Sequence, residues 1–291
     1  HELSKGENGM TVIGIYGGPG TGKTSSAEGI AKAMGRDFLK ISLGGINDPR
    51  VFKGTSRVYV NAEPSIIVRE LAKEGKSLST VILFDEPDKM EQSHAGNPYD
   101  PLHELLDPNQ KYYYDEYLEC NIPKNDLVIL LAFNDISKIP DTILDRMKII
   151  KCESYSSYDK KQIVRNYIAN KIAKTYGLES ILISDEALDL LVDEYSISLG
   201  VRDCEKDLDR IVVRKARENG GNFTHDILEI GVNDVRIALG SNRLRGLNDI
   251  PKGEKILPGQ AQALAVSGNY GSCFAIQTMI NEYQDEPVIV T

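Results

Sequence analysis

Eight consecutive residues, Gly17-Gly18-Pro19-Gly20-Thr21-Gly22-Lys23-Thr24, have the types and spacing to wrap a polyphosphate. Glycines let the backbone curl until several N–H groups converge on phosphate oxygens. Lys23 brings a cation to the β and γ phosphates, and the Thr24 hydroxyl is a hard oxygen ligand suited to Mg²⁺. Ser25 follows as part of the same binding segment. A glycine-rich turn can match the pattern by chance, so the flanks decide. Residues 11–16, Thr-Val-Ile-Gly-Ile-Tyr, are β-branched and bounded by glycines, as a buried strand is. Ala27, Ile30, Ala31 and Met34 recur at helical spacing, so the loop opens a helix whose positive end faces the phosphates. Strand, loop and helix in that order predict a site for ATP or ADP with Mg²⁺.

Hydrolysis asks for more: an acid that orients the metal and a group that aligns water. Val81-Ile82-Leu83-Phe84-Asp85-Glu86 offers both at the end of an apolar run. Asp85 is expected to hold Mg²⁺ through its water shell, and Glu86 to orient or deprotonate the attacking water. Alone, such a pair is a solvated strand end; beside a phosphate loop it reads as catalytic. Asn134 closes the run 127–133, where an amide can contact the γ-phosphate or the water, though a lone Asn there is as readily a turn residue. Arg146 lies just before the fifth run. Its cation either projects toward a neighbouring subunit's γ-phosphate or pairs with Asp145 or Asp141. Arg202, in Gly200-Val201-Arg202, is a candidate bridge from a helical segment to the nucleotide.

The elements that must position these groups follow from hydrophobic pattern. Apolar runs at 11–16, 38–43, 80–84, 127–133 and 147–152 alternate with helical stretches. Most lack strict alternation, as expected of parallel strands covered on both faces. They predict a five-stranded parallel α/β domain over residues 1–151. Residues 152–241 change to helical period: a stripe of Ile163, Val164, Tyr167, Ile168 and Ile172 after caps Ser157 or Asp159, then a helix capped by Ser184. A third helix carries Val201 to Ala216, and a short fourth is capped by Asn233. Residues 242–257 read as a linker, and 260–280 as a hairpin about Ser267-Gly268-Asn269.

Composition narrows the partners. Forty-three acidic against 34 basic residues give the 291-residue chain a net charge of −9, which argues against nucleic acid as its main partner. Four well-separated cysteines form no C-x-x-C pair, so a reducing compartment is expected. No apolar run approaches membrane-spanning length.

Taken in order, these segments resemble the ATPase module of the AAA+ superfamily, and more narrowly that of the Lon family of ATP-dependent serine proteases. The narrower resemblance rests on Ile41-Ser-Leu-Gly-Gly-Ile-Asn-Asp48, Arg57-Val-Tyr59-Val60, Leu105-Leu-Asp-Pro-Asn-Gln110, Ile139-Pro-Asp-Thr-Ile-Leu-Asp-Arg-Met147 and Gly200-Val-Arg-Asp-Cys-Glu-Lys206. It implies a P-loop α/β domain, a helical lid and, over 242–291, the start of an incomplete peptidase-like domain. It implies a hexameric ring that drives unfolded or damaged protein through a pore, in the cytoplasm or a mitochondrial matrix. It makes Asn134 the first sensor, Arg146 the finger acting in trans, Arg202 the second sensor, and Tyr59-Val60 the pore loop. An aromatic–aliphatic pair grips any extended chain without reading its sequence; a Tyr in an extended segment can equally fill a core position. The family's catalytic serine and lysine fall beyond Thr291, and Ser267 and Ser272 read as turn or surface residues. Pro87 stands where the family usually carries an aliphatic residue, and His94 where many relatives have Trp. Two other classes stay open: a nucleotide-loaded switch without turnover, and a nucleic-acid remodeller of the same superfamily.

Overall fold

Five parallel strands form the sheet that the apolar runs predict. The computed structural model describes residues 10–196, 198–218, 227–240, 260–267 and 270–277. The chain divides into two units, the first ending at Ser154 and the second beginning at Tyr155.

The first unit begins with β1 (Thr11–Tyr16), α1 (Lys23–Ala33) and β2 (Phe38–Ser42). Two helices follow, α2 (Arg50–Lys53) and α3 (Ile66–Glu74), then β3 (Val81–Asp85) and α4 (Tyr99–Leu105). A hairpin, β4 (Tyr112–Asp115) with β5 (Cys120–Pro123), precedes β6 (Val128–Phe133), α5 (Asp141–Leu144) and β7 (Lys148–Lys151). The sheet order is β2-β3-β6-β1-β7, all parallel. From β1 the chain crosses β6 and β3 to reach β2, whereas from β6 it crosses β1 to reach β7. Oppositely directed connections open a crevice at the carboxyl ends of the strands, where ligands bind in such sheets.

Side-chain alternation divides the sheet between two layers. Leu39, Ile82, Phe84, Ile129 and Phe133 pack with Leu71, Leu102 and Leu105 of α3 and α4. Ile13, Ile15, Leu83, Leu130 and Ala132 face the other way onto Ala27 and Ala31 of α1. Every residue of β6 is buried, which is why it carries no polar position. β7, at one edge, is exposed throughout and flanked by Lys148 and Lys151, charges that discourage pairing with another chain.

The second unit contains α6 (Ser157–Ile163), α7 (Ala169–Tyr176), β8 (Ser180–Ile183), α8 (Asp185–Asp189), α9 (Arg202–Glu218), β9 (Ile227–Ile230) and α10 (Val232–Leu239). Ser156 caps α6 in a capping box with Asp159, one residue earlier than Ser157. Ser184 caps α8 as expected. Gly231, not Asn233, is the residue before α10; its N–H is taken by Asp234. Val164, Ile168 and Ile172 are buried, but Tyr167 is 71% exposed. The π-helical turn Val164–Ile168 joins α6 to α7 and widens the helix locally, swinging Tyr167 off the apolar stripe. β8 and β9 pair in parallel, an element the helical pattern concealed.

β10 (Gln260–Ser267) and β11 (Tyr270–Gln277) form the expected antiparallel hairpin, with Ser267 paired to Tyr270 and Ser272 to Ala265. Both serines thus lie in strands rather than in the turn. The expected linker at 242–257 lies outside the described residues.

Candidate active site

The phosphate-loop segment leaves β1 at the carboxyl edge of the sheet, where the Gly17 N–H donates to Phe133 O at 3.3 Å. Gly20 and Gly22 take φ of 78° and 82°, the left-handed region that a side chain strains. Gly17 is glycine for a different reason: a Cβ there would come within 2.3 Å of the Cys152 carbonyl oxygen. Thr21, 4% exposed, donates its hydroxyl to Gly18 O at 2.8 Å and braces the loop. No side chain caps α1 and no acid sits in its first turn, so nothing within the helix offsets its positive end.

Lys23 joins the loop to the neighbouring strand. Its ammonium donates at 2.8 Å to Gly17 O, to Gly18 O and to Asn134 Oδ1. Three of the groups read from sequence therefore meet in one cluster. Burial pushes the Cys152 thiol up, and the charge of Lys23 pulls it part of the way back.

The acids stand at the end of β3. Asp85 pairs with Lys40 of β2 at 2.6 Å, and Glu86 with Lys89. Glu86 has φ 60°, a left-handed conformation that costs a non-glycine residue about 1–2 kcal/mol. Its N–H donates to Ala132 O at 2.9 Å, tying it to β6, the strand that Asn134 follows. Gly44 gives its carboxylate room, since a Cβ there would lie 2.8 Å from Glu86 Oε2. Pro87 opens a one-turn 3-10 helix, Pro87–Lys89, at a position that needs no N–H donor.

Sequence reasoning did not single out Asp88. It is 8% exposed, and its Oδ2 accepts from the N–H groups of Asn134 (3.1 Å) and Asp135 (3.2 Å). Asp88 thus holds in place the residue that holds Lys23. Tyr99 braces the same turn, donating to Pro87 O at 2.6 Å. Burial, with Asp88 nearby, pushes the Tyr99 phenol from its ordinary 10.0 up to about 12. Between about pH 10 and about 12 the folded state therefore keeps a proton that the unfolded chain has lost, so stability falls as pH rises through that window. Urea unfolding across this range is expected to show the loss, reduced in Tyr99→Phe.

Arg146 does form an ion pair, but with Asp107 at 2.9 Å rather than with Asp145 or Asp141. Asp107 is held below the usual carboxylate range by the Asn109 N–H and by Arg146. Arg202 opens α9 in the second unit. Tyr59 and Val60 are exposed beside an open, charged cleft of about 540 Å³ that also includes Asp48, Arg50, Glu63 and Arg69. His94 is exposed in the turn bridged by Ser93 and Gly96.

Among the described residues no group of three His, Cys, Asp or Glu could hold a metal ion. A nucleotide-bound Mg²⁺ takes only one or two protein oxygens, with phosphates and water completing the shell. The Thr24 hydroxyl and Asp85 carboxylate are that kind of donor set.

Residues 13–154 match the ATPase family associated with various cellular activities (AAA). The Lon protease of Frankia alni is 32% identical over 284 residues, 94% of this chain and 31% of that protein. The Lon protease of Mycoplasma mobile is 38% identical over 221 residues, 74% of this chain and 26% of that protein. Lon protease 2 of Borreliella burgdorferi is 32% identical over 262 residues, 89% of this chain and 32% of that protein. The parallel sheet, phosphate loop and strand-end acids thus define an AAA-type ATPase domain. The chain carries an AAA module of the Lon family. It spans about a third or less of the length of the relatives it matches.

Proposed function

We propose that the chain is the ATP-driven unfolding and translocating module of a Lon-like protease. The observation that carries this reading is the Lys23 ammonium bridging Gly17 O, Gly18 O and Asn134 Oδ1, which joins phosphate binding to the sensing position. Residues 17–25 hold ATP or ADP, with Thr24 and Asp85 holding Mg²⁺. Mg²⁺ bound there would supply charge neutralisation on the phosphates, and Asp85 would exchange its pairing with Lys40 for the ion. Glu86 aligns the attacking water and Asn134 contacts it or the γ-phosphate. Arg146 acts in trans after leaving Asp107, and Arg202 bridges the lid to the nucleotide.

The working assembly in this reading is a homo-oligomeric ring, six-membered in the intact protein. The α/β domain covers residues 1–151, the lid 152–241, and 242–291 are a linker and the incomplete start of a peptidase-like domain. Unfolded polypeptide is the partner that Tyr59 and Val60 grip, in the cytoplasm or an equivalent reducing compartment. Among the described residues no helix is long and apolar enough to cross a membrane. A second reading, a nucleotide-loaded switch without turnover, draws support from the pairing of Arg146 with Asp107 inside one chain. Steady-state ATP turnover with and without an unfolded polypeptide separates the two. The motor reading expects turnover that polypeptide raises severalfold; bound nucleotide with no turnover favours the switch.

A further inference from the structure

Residues 54–65 leave α2 and return at α3, and their tip is apolar and bare. Val58, Tyr59 and Val60 are 87%, 67% and 90% exposed. No core packing can hold such a tip, so its position depends on how the two ends are anchored. Both are anchored on the β4–β5 hairpin, an element the sequence pattern did not disclose.

At the entry, the Glu116 N–H in the hairpin turn donates to Lys53 O at 2.8 Å. Gly54 follows with φ 78°, passing so near the exit of the loop that a Cβ would lie 2.9 Å from Ser65 N and 3.2 Å from Asp115 Oδ1. At the exit, Ser65 N–H donates to Asp115 Oδ2 at 2.9 Å. The other oxygen of Asp115 accepts from Tyr117 N–H at 2.9 Å and Leu118 N–H at 2.8 Å. Asp115 is wholly buried, so these three donors replace its water and set loop exit and hairpin turn against each other. Nearer the tip, Arg57 Nε donates to Tyr117 O at 2.8 Å, and its guanidinium lies 4.8 Å from the Tyr117 ring centroid. Thr55 N–H to Glu63 O, 2.8 Å, closes the loop on itself.

We propose that the β4–β5 hairpin is the seat of this loop, and that Asp115 and Arg57 are positioning residues that fix where Tyr59 stands when it meets an extended polypeptide. The inference rests on the reading of Tyr59 as the gripping residue. It goes further by assigning the grip's geometry to a separate element. That element also runs on through Lys124 into β6, the strand that ends beside Asn134. Lys124 is 1% exposed and donates at 2.8 Å to Leu105 O and to Asp107 O, which fixes the foot of the hairpin on the end of α4.

Two variants of the full chain test the seat. Arg57→Ala alters an exposed side chain and keeps the core, while Asp115→Asn removes the charge under the turn. Amide hydrogen exchange over residues 55–65 is expected to be about tenfold faster in both, with exchange in β1 and β6 unchanged. The ratio of polypeptide-stimulated to unstimulated ATP turnover is expected to drop toward one in both. Tyr59→Ala is measured alongside. If it leaves that ratio at the wild-type value, the gripping role of Tyr59 fails and this proposal with it. If it lowers the ratio while Arg57→Ala matches wild type in ratio and exchange, the seat is wrong and the grip stands. Should Asp115→Asn lose its cooperative melting, Arg57→Ala decides alone.

Discussion

Glu86→Gln is expected to lower ATP turnover by about two to four orders of magnitude, the usual worth of a positioned general base, while nucleotide affinity stays within about threefold. Glutamine has the shape of glutamate, so the left-handed backbone at φ 60° and the hydrogen bond to Ala132 O persist. What disappears is a carboxylate able to take a proton from water. The pairing with Lys89 is lost as well, but it is half exposed and contributes little to folding. Phosphate release and equilibrium binding of a fluorescent nucleotide measure the two effects separately. Unchanged turnover would move the base elsewhere, with the buried Asp88 the next carboxylate to test.

Lys23→Ala is expected to act on binding itself. It deletes three 2.8 Å hydrogen bonds, to Gly17 O, Gly18 O and Asn134 Oδ1, and with them the loop's own cation, which would make charge-assisted contacts with the β and γ phosphates. Charge-assisted contacts of this kind are worth about 1.5–3 kcal/mol each, so affinity for ATP should fall by about a hundredfold or more. Turnover falls with it. The contrast between the variants is diagnostic: bound but uncleaved ATP in Glu86→Gln, little bound ATP in Lys23→Ala. Titration calorimetry with ATP on the full chain checks the second, and wild-type affinity in Lys23→Ala would remove the phosphate loop from the account.

Much of the first unit was legible because its signals are local. A glycine pattern demands a curled backbone, and uninterrupted apolar runs such as 128–133 demand cover on both faces. The strand-end acids were legible because the turn after a buried strand places them. The ion pair of Arg146 was anticipated, but its partner was not, because Asp107 is distant in sequence and no periodicity links the two. Asp88 escaped for the same reason: only the fold brings it under the N–H groups of Asn134 and Asp135. The β4–β5 hairpin has four-residue strands whose alternation, exposed Tyr112 and Tyr114 against buried Tyr113 and Asp115, is too brief to register as a pattern. β8 and β9 were hidden likewise, short runs between strong helical stripes.

The central claim is that this chain turns over ATP at a site built by its phosphate loop and strand-end acids and completed by a neighbour. The most direct test is steady-state phosphate release per chain as protein concentration is raised, with Glu86→Gln beside wild type. The account predicts release that climbs with concentration in wild type and stays near background in the variant. ATP that binds without phosphate release at any concentration, or release that persists in Glu86→Gln, would contradict it.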